Sequence, residues 1–363
     1  MLIHLIHAQK NKLRNDGQWL RDRMDPFLIP TDRFIERYRI PPVLTIKLVD
    51  EMSVFIPGDH YLGIPLHLRV LAALSFYASG CYQRRVGMDA YCTMSQTAIS
   101  KWKRKKEIST IITKHLAPTY VKFPQNQAEV DLIQMRFKQD YGLDGVIGLV
   151  DGTQIAVAGL KLKRSYINYR KFSSINTQGI IDSDMRFLSV NARYPGSTQD
   201  AFIWNNSLIF SLLERQYSLA NQENNIYRDG FLIGDLGYPL QPWLMTPVKT
   251  LTTNEVREKR YNKMIRRIRN KNERVYSVLK NRFRCLLGER KLRYNHENAA
   301  KIIYACCTLH NFLIANAFNI NYEITLPTED DDSDLIEGEM NFTEHNKYIQ
   351  QGKVVRNRLI DSF

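Results

Sequence analysis

Cysteine is scarce: 5 occur in 363 residues, and Cys81, Cys92, Cys285, Cys306 and Cys307 are odd in number with no CxxC pair. That argues against a disulfide framework or a zinc knuckle and fits a reducing compartment. Long apolar runs are also missing. Stretches such as Ile147 to Val150 and Phe231 to Ile233 fall far short of the ~20 residues that cross a bilayer, so no membrane partner is expected. The start, Met1 to Gln9, is mildly apolar but broken by His4 and His7. It lacks a charged leading stretch and a small-residue cleavage site, so secretion is not expected. There is no internal repeat, and base is absent from one tract: Pro327 to Met340 carries seven acids and no Lys or Arg.

What is present is positive charge. The chain's formal net charge is +14, and with those seven acids set aside the remainder carries +21. A surplus of that size points to a polyanionic partner, nucleic acid being the commonest. Hydrophobic residues make up 44% and aromatics 11%, enough for a sizeable core, and the length suggests about two domains.

Residues 1–124 read as a helical N-terminal region. Leu66 to Ser79 is an apolar helix with Leu68, Leu71, Leu74 and Phe76 available for burial and Gly80 placed to end it. Gln83 to Tyr91 follows as a short helix, Cys92 to Met94 as a turn, and Ser95 as the cap of a helix through Lys106. Residues 66–106 therefore have the outline of a helix-turn-helix. Lys101, Lys103, Arg104, Lys105 and Lys106 crowd the far end of its last helix, and the first four are candidate DNA contacts; a solvated basic helix packed through Trp102 explains the same pattern.

From about Tyr141 the pattern turns to strands: Val146 to Val150, Gln154 to Ala158, Thr177 to Ile181, Phe187 to Ala192 and Gly230 to Gly234, with a helix over Thr198 to Gln216. This order describes an α/β layered domain whose sheet mixes parallel and antiparallel pairs, as a ribonuclease H-like sheet does.

Asp151 and Asp235 each stand where an apolar run meets glycine, in VIGLVDG and FLIGDLG. A carboxylate at the end of a buried strand is costly unless a cation or hydrogen bonds offset it. A turn or cap explains one such residue, whereas two in one domain point to a metal site. A third acid, Glu273, lies in a basic segment read as a long helix from about Asn262 onward. At 100° per residue it falls in a stripe with Arg266, Arg269, Lys280 and Arg284, opposite Met264, Ile268, Val275, Val278 and Leu286. Helical salt bridges account for such a stripe. So does a metal-binding carboxylate flanked by bases that hold phosphates. Two strand-end aspartates and a helical glutamate are the hard oxygen donors that suit two magnesium or manganese ions, the equipment for in-line attack on a phosphodiester.

Taken in order, VDGTQI around Asp151, YPGSTQD through Asp200, IGDLGYPLQPWLMTP through Asp235, YNKMIRRIRNKNERVYSVLKNRFRCL through Glu273 and ACCTLHNFL through His310 resemble the PIF/Harbinger superfamily of DDE transposases, and especially the nucleases derived from Harbinger transposases. The resemblance runs close to full length. It implies a ribonuclease H-like mixed-sheet core, here a DDE endonuclease catalytic domain over residues 141–318, preceded by the helix-turn-helix-like region. It further implies a divalent metal and nuclease or strand-transfer activity, with Asp151, Asp235 and Glu273 as catalytic acids and Asp200 as a further metal ligand. From the residues alone, Asp200 belongs to the first turn of a helix, where an acid answers the helix dipole. Many family members have His where this chain has Gln154, and the stretch from Arg170 to Asn176 lacks the usual glycine after Arg-Lys.

The resemblance also implies a separate Myb- or SANT-like partner that assists DNA binding and nuclear import. The nucleus is thus the expected location, with the cytoplasm as a second, and the basic clusters 101–106 and 263–271 are candidate import signals. A homo-oligomer is compatible with the sequence. Two other functions fit parts of it: a DNA- or protein-binding factor that no longer cuts, and a metal phosphatase, which leaves the basic helices without a role. Cys306, Cys307 and His310 sit among Ile302, Ile303, Leu309, Phe312 and Leu313 and are expected to be core. Residues 327–363 read as an acidic and polar tail, for partner binding or for shielding the cationic surface.

Overall fold

The computed structural model describes residues 25–56, 60–61, 64–80, 107–158, 164–218, 225–250, 255–318 and 346–363. They fall into two compact units.

The first unit combines residues up to Tyr120 with Ala156–Leu160 and Leu279–Asn319, and it is built from helices. Helices α1 (Thr31–Tyr38) and α2 (Pro42–Ser53) lead through a two-residue hairpin, β1 (His60–Tyr61) with β2 (Ile64–Pro65), into α3 (Leu66–Ser79). Helix α3 follows Pro65 and is buried along most of its length, as its near-continuous apolar sequence requires. It stops at Gly80, whose φ of 64° is left-handed and where a Cβ would lie 3.0 Å from that of Arg290. The remainder of the helix-turn-helix-like segment, with Lys101, Lys103, Arg104 and Lys105, lies outside the described residues. Next come α4 (Glu107–Ile111), a π-helical turn (Ile112–Leu116) and α5 (Ala117–Tyr120). Tyr120 is met by Phe312 edge to face and by Asn311, whose Nδ2 donates to the Tyr120 carbonyl at 2.7 Å. His310 and both neighbouring cysteines are fully enclosed, and His310 Nδ1 stands 3.1 Å from Arg282 Nη1. This is the packed helix the sequence suggests.

The second unit carries a five-stranded sheet, whose strands lie in the order Phe187–Pro195, Ser174–Ile181, Val146–Ala156, Phe231–Ile233, Leu244–Met245. Helix α6 (Gln127–Tyr141) is capped by Asn126, which accepts from Glu129 N at 2.9 Å, and ends at Gly142 with φ 76°. The strands are β3 (Val146–Ala156), β4 (Ser174–Ile181), β5 (Phe187–Pro195), β6 (Phe231–Ile233) and β7 (Leu244–Met245). Helices α7 (Asp200–Asn205) and α8 (Leu208–Ser218) lie between β5 and β6 in the chain, and α9 (Glu255–Arg282) follows β7; α10 (His296–Ala315) belongs to the first unit, and α11 (Asn346–Asp361) to the second. Strands β3 and β6 pair in parallel, as do β6 and β7, while β4 and β5 are antiparallel. This is the mixed sheet expected of the ribonuclease H-like class. Every residue of β4 is buried, as are Val146, Ile147, Leu149 and Val150 of β3, so both faces of the sheet's centre are covered.

Four expectations change. The runs 146–150 and 154–158 are one strand, because Asp151 and Gly152 stay extended inside it. The helix expected over 198–216 is two, since Ser207 Oγ accepts from Phe210 N at 3.1 Å and starts a new helix. Helix α9 begins seven residues before Asn262, at Glu255. The end of the acidic, polar tail is the helix α11, which packs on the sheet unit: Tyr348 meets Trp243 at 4.8 Å and Tyr217 at 6.3 Å between ring centres, and Arg356 Nη1 donates to the Pro247 carbonyl at 3.2 Å. Tyr348→Ala should therefore destabilise the protein by about 3 kcal/mol in urea unfolding, the range for emptying an aromatic site in a core.

Candidate active site

The parallel register of β3 and β6 pairs Leu149 with Ile233. Two residues past this pair come Asp151, still within β3, and Asp235, just beyond the carboxyl end of β6, so these carboxylates stand side by side on neighbouring parallel strands, at the end of β6 where open α/β sheets place their ligands. Asp151 is inside β3, not at its end as its sequence context suggests. Its Oδ1 accepts from Gly152 N at 2.8 Å, and its carbonyl accepts from the Tyr276 hydroxyl at 2.8 Å. Tyr276 reaches that carbonyl over Gly179, where a Cβ would lie 2.7 Å from the hydroxyl. Asp235 accepts from Gly237 N at 2.9 Å, which turns the chain sharply after β6.

Asp200 is the first residue of α7, as a helix-dipole acid should be, but its surroundings are those of a site. Asn176 Nδ2 donates to its Oδ1 at 2.7 Å, and Gln178 Nε2 donates to its carbonyl at 3.2 Å and to the Tyr238 hydroxyl at 3.1 Å. It approaches β3 so closely that a Cβ on Gly152 would lie 2.5 Å from its Oδ1. Sequence reasoning missed Gly152, Asn176, Gln178, Tyr238 and Tyr276. The glycine directly after Asp151 was the available signal, because a glycine inside a strand marks a close approach.

Crowded, enclosed carboxyls hold their protons. Burial, with the nearby charges of Asp235 and Asp200, pushes Asp151 up to about 8 even though Arg269 favours its ionised form. Burial, with Asp235, pushes Asp200 up to about 6 against the hydrogen bond from Asn176. Tyr238 is driven well above its ordinary value by burial and by all three acids, so it remains a neutral hydroxyl.

Helix α9 supplies the cation. Arg269 Nη2 lies 3.5 Å from Asp235 Oδ2, and its side chain is 19% exposed. It thus turns into the acid cluster instead of lining an open phosphate track. Glu273, half-buried, is one turn beyond Arg269 and three residues before Tyr276, which touches Asp151, so helical spacing sets it on the side of α9 that faces the aspartates. Arg266 is exposed. The cationic stripe is not continuous to its end: α9 closes at Arg282, Phe283 leaves helical geometry, and Arg284 begins a separate 3-10 turn while Lys280 is still helical.

The donors suit magnesium or manganese by chemistry: hard carboxylate oxygens whose mutual repulsion a divalent cation would relieve. Among the described residues, no three His, Cys, Asp or Glu side chains converge to hold one ion. Gln154, in place of the family's His, has a structural partner set, its Oε1 accepting from Ser174 Oγ at 2.5 Å and its Nε2 donating to the Gly196 carbonyl at 3.3 Å.

No helix among the described residues is long and apolar enough to cross a membrane. Residues 150–311 match the DDE superfamily endonuclease family. The human protein named "Putative nuclease HARBI1" is 30% identical over 296 residues, covering 80% of each chain. Its counterpart in Bos taurus is 30% identical over 306 residues, 82% of this chain and 83% of its own. "Protein ALP1-like" of Arabidopsis thaliana is 29% identical over 69% of this chain and 62% of its own. No solved structure matches. Sheet and relatives agree, and the chain belongs to the DDE superfamily endonucleases, alongside the HARBI1 proteins derived from Harbinger transposases.

Proposed function

We propose that this protein is a divalent-metal-dependent DNA nuclease that hydrolyses, or transfers, phosphodiester bonds, with Asp151, Asp235 and Glu273 as its catalytic acids and Asp200 as a further metal ligand. The observation that carries this reading is the adjacency of Asp151, inside β3, and Asp235, just past the end of the parallel strand β6, with Asp200 pressed onto Gly152 beside Asp151. A magnesium or manganese ion held by these oxygens would supply Lewis acidity and a more acidic water or 3′-hydroxyl. The chain's own groups do the positioning. Tyr276 and the Gly152 amide fix Asp151, Asn176 and Gln178 fix Asp200, and Arg269 neutralises Asp235. Arg266, one turn before Arg269, offers positive charge to the flanking backbone, and Lys280, Arg284, Lys101, Lys103, Arg104 and Lys105 extend that role along the substrate. A net charge of +14 supports DNA as the partner. A Myb- or SANT-like protein aiding recognition, self-association and a nuclear location belong to the same reading.

The test is cleavage of supercoiled and linear DNA with magnesium, with manganese and with EDTA. Cutting in either metal and none in EDTA is the expected result. DNA binding without cutting in both metals would replace this reading with that of a non-cleaving binding factor.

Metal binding should also depend on pH. A cation needs Asp151 ionised, and that carboxyl keeps its proton up to about 8. The apparent Kd for manganese should thus fall about tenfold per pH unit from pH 6.5 to 7.5, one proton leaving per ion bound. Calorimetry showing a constant Kd over that window would remove Asp151 from the ligand set.

A further inference from the structure

The connection from β3 to β4 ends in a small hairpin that the acid cluster does not use. Ile167 bridges Ser173 in antiparallel fashion, and buried Asn168 builds the turn. Its amide donates to the Phe172 carbonyl and its own carbonyl accepts from Lys171 N, each at 3.0 Å, while its Oδ1 accepts from Phe172 N at 3.2 Å. Lys171 is held at φ 63°, a left-handed conformation that disfavours any residue with a Cβ. The turn thus takes, without a glycine, the shape that glycine favours.

Three side chains at its tip face water. Tyr169 is 64% exposed, Arg170 and Lys171 are exposed, and the Arg170 guanidinium lies 5.3 Å from the centre of the Tyr169 ring. A ring presented outward on a tight turn, with two cations directly after it in the chain, contributes little to a core. It has the make-up of a nucleobase-stacking platform with phosphate contacts beside it.

The hairpin's base is tied to the acids. Asn168 Nδ2 donates to Ser174 Oγ at 3.0 Å, and that hydroxyl donates to Gln154 Oε1. The Ser197 amide and hydroxyl both donate to the Ser165 carbonyl, three residues before Asp200. Gln154 shares a face of β3 with Gly152, the residue Asp200 touches, at a rise of about 7 Å.

We propose that the hairpin Ile167–Ser173 is a strand-holding finger for the DNA substrate. Tyr169 stacks on an unpaired base, and Arg170 and Lys171 contact the phosphates on either side of it, a few nucleotides from the bond positioned at Asp151 and Asp235. The proposal rests on the nuclease reading, and its test separates the two. Fluorescence anisotropy with the full chain in EDTA would compare a labelled duplex with a fork carrying a single-stranded arm. Tyr169→Ala should weaken fork binding about tenfold, with Tyr169→Trp restoring it, since the base loses its stacking partner in the first and regains one in the second. Arg170→Ala and Lys171→Ala should each reduce the slope of log K against log salt by about 0.7. Equal fork binding by the natural chain and Tyr169→Ala would overturn the finger and leave DNA as the substrate. Failure of the natural chain to bind either DNA would overturn both.

Discussion

Asp151→Asn should abolish DNA cleavage, by about a thousandfold or more, while raising the thermal stability of the metal-free protein. The loss follows from removing a charged oxygen donor at the reacting centre, and a thousandfold corresponds to about 4 kcal/mol of transition-state stabilisation. The gain follows from the same charge. Asp151 is pushed up to about 8 in the fold, whereas an unfolded Asp ionises near 3.9. Between those values the folded state holds the extra proton, so stability falls as pH rises from about 4 to about 8. An amide removes that fall. In EDTA at pH 8, Asp151→Asn should melt a few degrees above the natural chain, and at pH 4 the difference should vanish; Asp235→Asn and Glu273→Gln should match its loss of cleavage. A melting temperature below that of the natural chain at pH 8 would mean that Asp151 holds the fold together.

Gly152→Ala is the second large effect, and it acts by shape alone. The added methyl would stand 2.5 Å from Asp200 Oδ1 and 2.9 Å from its Cγ. Asp200 has nowhere to retreat, because Asn176 holds its carboxylate and Gln178 its carbonyl. A displacement of about 1 Å at a reacting centre is worth about a hundredfold in rate, so cleavage should fall by about that factor, while the clash lowers stability by about 1–3 kcal/mol. Gly142→Ala is the matched control: it has open space around it but φ 76°, and should cost about 1 kcal/mol of stability with cleavage preserved. Full cleavage by Gly152→Ala would show that Asp200 lies outside the chemistry.

The backbone of this site was legible where chemistry and periodicity coincide. Asp151 and Asp235 stood out because ionisable residues rarely follow buried apolar runs, and the hydrophobic period of α9 turned Glu273 toward the opposite side from Ile268, Val275 and Val278, which are buried. What the sequence concealed depends on tertiary neighbours. Arg269 reads as one base among many until its distance to Asp235 is known. Strand β7 has two residues beside Pro242 and Pro247, too few for a period. Helix α11 was hidden by the acidic tract before it, whose charge dominated the reading of everything downstream.

The C-terminal helix also bears on solubility. Strand β7 is the last in its sheet and pairs on one side with β6. An uncovered border strand is a template for another chain's backbone. Gly352 of α11 lies so near Gln241 that a Cβ would be 3.0 Å from its backbone nitrogen, and Tyr348 closes over Trp243. A chain cut before Asn346 would bare this border and a cluster of aromatic rings together, and would be lost to strand-to-strand aggregation before its acids were ever tested.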